Sequence, residues 1–339
     1  MKRVFSLVLA LFAAQMMFAG KFIVTNTSDD VKEKGSLRWA CATATAEDTI
    51  VFKFDKDGYK TIHISSSLTT EASIDGSTWD DQIIIDGYDS ENGKAKFNGF
   101  DKIGPFIKKL IIINFSVGIS VYDSKNPQIL NCYICDNHIG IKNSNTIAKI
   151  SDCLISGNDS VGVLNTGEIT ILSNNIIGLS EDQKSAYPNG TGVYSQGRGV
   201  KFGEFTDNVV SGNSKNGIED LGDLAISVFS NNYIGTNKYF DLNVDLGNAG
   251  NGFVPNVGSY GSYPVFTDNY FGNNGGYAIY RPNYSGSVTL KNNYIGITPD
   301  GSAMPNGKGG VLWGALTLTL EDCKIGYNKG SGIVINTAG

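Results

Sequence analysis

Asn231-Asn232-Tyr233-Ile234-Gly235 is followed by Asp268-Asn269-Tyr270-Phe271-Gly272 and then by Asn292-Asn293-Tyr294-Ile295-Gly296. Working outward, the same phrase recurs as Asn131-Cys132-Tyr133-Ile134, Asp152-Cys153-Leu154-Ile155, Asn174-Asn175-Ile176-Ile177, Asp207-Asn208-Val209-Val210 and Asp322-Cys323-Lys324-Ile325. β-prone segments such as Val265-Phe266-Thr267 precede it, and Gly-aliphatic pairs such as Gly217-Ile218 and Gly252-Phe253 follow. So short a unit cannot bury its own apolar face and must stack on its neighbours, which makes the chain a solenoid.

The second residues of these pairs lie 21, 22, 33, 24, 37, 24 and 30 residues apart. No unit contains a stretch with helical periodicity, which excludes leucine-rich, ankyrin and tetratricopeptide designs. The shortest spacing suits three strands and three bends per coil, a single-stranded parallel β-helix with coils about 4.8 Å apart. The longer spacings place insertions after Ile177-Gly178, Ile234-Gly235 and Ile295-Gly296, so a row of loops is expected along one side of the rod.

These residues resemble the secreted bacterial right-handed parallel β-helix proteins of the pectate-lyase-like fold, whose coils carry the same Asn-Asn, Ile-x-Gly-Asn and Gly-Ile pattern. Ile295 to Gly307 looks like a long-turn variant of those repeats. Gly35-Ser36-Leu37-Arg38-Trp39-Ala40 with Asp48-Thr49-Ile50-Val51-Phe52 resembles their CSLREA-type cap, with Gly35 in place of the motif's cysteine. The resemblance implies an all-β fold and leaves the activity open.

Residues 1–20 read as a secretory signal: Lys2 and Arg3, an apolar run from Val4 to Phe18, then Ala19-Gly20. Residues 21–54 form the expected cap, with a helix over about 36–46 started by Ser36 as N-cap, and 55–339 the β-helix. After Ile335 the pattern stops without a cap, and a longer parent protein is expected. The protein is expected to be secreted or at the cell surface, with no membrane insertion once the signal is removed; the oligomeric state is left open.

Without Lys2 and Arg3 the chain carries 27 − 2 = 25 basic against 33 acidic residues, a net charge of −8. No basic stripe is available for nucleic acid, and polyanions are disfavoured. Cys132, Cys153, Asn175, Asn208, Asn232, Asn269, Asn293 and Cys323 share one repeat position, read as an inward ladder in which cysteine is a small filler. Parallel in-register strands are poor geometry for a Cys132 to Cys153 disulfide. The preceding Asp and Asn residues suit a left-handed bend better than a catalytic array. No metal site is expected, and no cofactor is evident.

Outward of the ladder, Tyr233, Tyr270 and Tyr294 are candidate ligand-binding residues, with cross-strand stacking as the competing role. Candidate bases are Arg198, Lys201 and Arg281, with Glu204 or Glu219 as possible carboxylate partners. The leading expectation is an exported, adhesin-like scaffold binding polysaccharide, cell-surface glycan or another surface partner along its lateral face. The alternative that the resemblance implies is a polysaccharide lyase or glycoside hydrolase, the lyase with calcium as cofactor.

Overall fold

The computed structural model describes residues 19–91, 93–222, 225–256, 264–282, 287–314 and 317–336. The signal-like stretch therefore falls outside the described residues, apart from Ala19 and Gly20. Among those described, no helix is long and apolar enough to cross a membrane.

Three all-parallel sheets of 12, 11 and 11 strands form a parallel β-helix. Each full coil contributes one strand to each sheet in turn. The first sheet runs from Lys21–Val24 to Thr317–Glu321, the second from Lys60–His63 to Lys324–Ile325, and the third from Leu68–Thr69 to Ile333–Ile335. Pairing in register keeps like over like. In the second sheet Ile112, Ile134, Ile155, Ile177, Val210 and Ile234 lie on successive strands, all fully buried. Each such side chain contributes about 1.5 to 3 kcal/mol by leaving water. Farther along, the core becomes aromatic, with Phe229 ring centroids 5.1 Å from Phe253 and 4.8 Å from Phe266.

The bend between the first and second sheets is made by left-handed residues: Asn131, Asp152, Asn174, Asp207, Asn231, Asp268, Asn292 and Asp322 have φ between 50 and 61°. Asn and Asp tolerate this region best among residues with a side chain. The next residue turns inward. Asn175, Asn208, Asn232 and Asn269 each donate an amide hydrogen to the side-chain carbonyl of the next asparagine in the column, ending at Asn293, with N···O distances of 2.9 to 3.2 Å. Cysteines stand at both ends: Cys153 N–H donates to Asn175 Oδ1 at 3.1 Å, and Asn293 Nδ2 reaches Cys323 Sγ at 3.9 Å. All five cysteines are free thiols.

A second ladder, not read from the sequence, lies where the chain enters the third sheet. Asn137, Asn158, Asn189, Asn213, Asn248, Asn274, Asn306 and Asn328 are linked Nδ2–H to Oδ1 at 2.8 to 3.2 Å. Glycines make room for it. A Cβ on Gly217 would sit 2.7 Å from Asn248 Nδ2 and 2.7 Å from Gly252 O.

The amino-terminal end is closed by the helix Leu37–Thr43, whose Leu37 and Ala40 are fully buried in the solenoid core. Ser36 Oγ accepts from Trp39 N–H at 3.0 Å. The helix stops at Thr43 because Asp48 takes the Thr45 N–H and hydroxyl, at 2.8 and 2.7 Å, into a separate turn.

Candidate ligand-binding flank

The three insertions leave the second sheet at Gly178, Gly235 and Gly296, with φ of 98, 82 and 79°. Two fold alike, closed by the antiparallel bridges Leu179 to Ala186 and Ile297 to Ala303. Ser180 Oγ donates to Asp182 Oδ1 at 2.7 Å, and the Thr298 hydroxyl donates to Asp300. Those hydroxyls, aided by nearby backbone N–H groups, hold both carboxyls below their ordinary range.

The first two loops turn back over the outer face of the second sheet. Leu179, Val209 and Leu246 form a small buried cluster there, with Ile176, Tyr233 and Val244 packed on it. Asn237 Nδ2 donates to Gln183 O at 2.9 Å, joining the two loops. Lys238 Nζ reaches down to Asn174 Oδ1 at 2.8 Å, and the Tyr133 hydroxyl donates to Glu181. Burial and that carboxylate push the Tyr133 phenol up to about 12.

Tyr233, Tyr270 and Tyr294 lie in register on consecutive coils of the same outer face. Their rings stack on one another at 4.8 and 5.3 Å with interplanar angles of 16 and 18°. Phe240 packs edge-on against Tyr270 at 5.1 Å, and Lys324 Nζ sits 5.0 Å from the Tyr294 ring centroid. Both faces of Tyr270 are thus occupied by its neighbours, so its ring faces are closed to stacking by any other group.

Tyr133, on the same outer face, has a different setting. Its in-register neighbours are Ile111 and Leu154. It lines two recesses, one of about 250 Å³ bounded by Gln82, Lys109 and Ile111, the other of about 220 Å³ bounded by Leu154, Ile176, Glu181 and Lys238. Sharing Asn131 and Tyr133, they adjoin as one groove along the rod axis, with the loop residues Glu181, Gln183 and Lys238 lining its second part.

The candidate bases lie elsewhere. Arg198 and Lys201 are exposed at the corner between the third and first sheets, with Lys201 in register between Glu168 and Ala225. Arg281 belongs three coils farther on, about 14 Å along the rod. It is buried, donates from Nη1 to Pro255 O at 2.8 Å, and its guanidinium carbon lies 5.5 Å from the Trp313 ring centroid. Glu204 is exposed on the first sheet, and Glu219 accepts from Asn216 Nδ2 at 2.8 Å. Arg198 and Arg281 are therefore not brought together.

No family model matches the chain, and no curated protein matches it. The fold and the flank rest on the chain's own geometry.

Proposed function

We propose that this chain is an exported, adhesin-like scaffold that binds polysaccharide or cell-surface glycan along its loop-bearing flank without cleaving it. The observation that carries this is the folding of successive loops onto the outer face of one sheet, where Tyr133 and the Tyr233, Tyr270 and Tyr294 row are found. A rigid rod repeating every coil presents like groups at a fixed interval, which suits a repeating polymer. Its acidic balance turns the preference away from polyanions.

A glycan array probed with the protein lacking its first 20 residues tests this reading. Binding should be weakened by substitutions on the loop-bearing flank and unaffected by Val228→Lys on the exposed first sheet. A blank array, or equal loss from both faces, contradicts it. Export is proposed from the amino-terminal stretch; cell fractionation with and without that stretch should move the protein from outside to inside.

A further inference from the structure

We infer that the groove on either side of Tyr133 is the glycan subsite, and that it takes an extended segment of a neutral polysaccharide. This rests on the glycan-binding reading above and adds the place and the ligand class. Ile111, Tyr133, Leu154 and Ile176 stand on four consecutive coils, giving an apolar floor that crosses the strands. With the coil of Gln82 included, the groove spans four coil spacings, about 19 Å, the scale of a short oligosaccharide.

Tyr133 is the aromatic residue on that floor, and aliphatic neighbours flank it on both sides. Its ring is therefore not covered in the manner of Tyr270, and it borders both recesses. A pyranose can set its C–H face on such a ring while its hydroxyls turn to the rim.

The rim selects the ligand's charge. Four charged groups line the groove, two of each sign, and each already has a polar partner. Lys109 Nζ donates to Trp79 O at 3.0 Å, and Asp152 Oδ1 accepts from Asn174 Nδ2 at 2.6 Å. Glu181 accepts from Tyr133, and Lys238 donates to Asn174. No net charge is left to attract a uronate or a cationic ligand. Amides of Gln82 and Asn131 at the edge suit neutral hydroxyls, which both donate and accept.

The test titrates the protein with cellohexaose, xylohexaose, mannohexaose and hexagalacturonate, by calorimetry and by NMR of isoleucine methyl groups. At least one neutral hexasaccharide should bind and shift the Ile111 and Ile176 methyls. Tyr133→Ala should weaken binding by about tenfold or more, while Tyr133→Phe, which keeps the ring, and Val228→Lys, on the exposed first sheet, stay within about threefold. The methyl shifts locate the site in the unaltered protein should Tyr133→Ala fail to fold. Binding lost in Tyr294→Ala but kept in Tyr133→Ala would overturn the groove and leave the function standing. Binding of hexagalacturonate alone would overturn the neutral ligand. No binding to any hexasaccharide overturns the groove, and the glycan array then decides separately whether the function falls with it.

Discussion

Asn208 Oδ1 accepts two hydrogen bonds from Asn175, one from its Nδ2 at 2.9 Å and one from its backbone N–H at 3.1 Å. One carbonyl oxygen thus satisfies two buried donors of the neighbouring coil. Asn208→Leu removes that acceptor from both, at a cost of about 3 kcal/mol. Asn208→Cys should cost less, since Cys153 occupies the same column and its Sγ accepts from Cys132 N–H at 3.5 Å. Urea unfolding midpoints check the order; equal midpoints for the two variants would contradict the role of the shared oxygen.

The bend carboxylates give a separation of structure from chemistry. Asp207 has φ 61° and its carboxylate is bonded by Asn231 Nδ2. Asp207→Gly should be close to neutral, whereas Asp207→Val should lose about 1 kcal/mol or more from the left-handed backbone. Glycan binding should survive Asp207→Gly; its loss would make the carboxylate a ligand contact.

Glycine 217 should be intolerant for a purely steric reason. Gly217→Val drives a side chain into Asn248 and the Gly252 carbonyl and should cost about 2 kcal/mol or more. Ala278, at the equivalent position two coils on, already carries a buried Cβ, and Ala278→Gly should change the thermal midpoint far less.

Thiol reactivity should follow burial. Desolvation pushes the Cys41, Cys132 and Cys135 thiols up to about 12 and Cys153 well above its ordinary value. Cys323 is only partly covered. Iodoacetamide under native conditions should label Cys323 first, as peptide mass mapping would show; early labelling of Cys132 or Cys153 would contradict the buried ladder.

Acid should loosen the turns held by Asp48, Asp182 and Asp300. Backbone N–H and hydroxyl of Thr45, the Ser180 hydroxyl and the Thr298 hydroxyl, respectively, lower these three carboxyls below 3.8 in the folded chain. A depressed folded value means that this stabilisation is complete above 3.8 and is lost as pH falls through the lower folded values. The difference in thermal midpoint between the protein and its Asp48, Asp182 and Asp300 to Asn variants should shrink on acidification; a difference that widens would reverse the assigned sign.

The coil was legible in the sequence because two local rules coincide. Left-handed bends admit Asn and Asp, so Asp207 and Asn231 mark each turn, and period-two alternation places Asn208 and Val210 inward. The second ladder was missed because its distance from the first varies: Asn189 follows Asn175 by 189 − 175 = 14 residues across an inserted loop, whereas Asn213 follows Asn208 by 213 − 208 = 5. Its signal was a glycine three or four residues after the asparagine, as in Asn189 to Gly192 and Asn213 to Gly217. Arg281 read as an available base because charge suggests exposure; only the stack shows Pro255 O and Trp313 around it. The groove was out of reach because Tyr133 and Glu181 are 48 residues apart and meet only once the loop path is known.

The most direct measurement is co-sedimentation of the protein with insoluble glucan, xylan and mannan, with each supernatant assayed for new reducing ends and for absorbance of unsaturated products. Retention on at least one neutral polymer, weakened by Tyr133→Ala, with no new ends or double bonds, is the expected result. New ends would make the chain an enzyme, and absence of retention on every polymer would remove the glycan-binding flank.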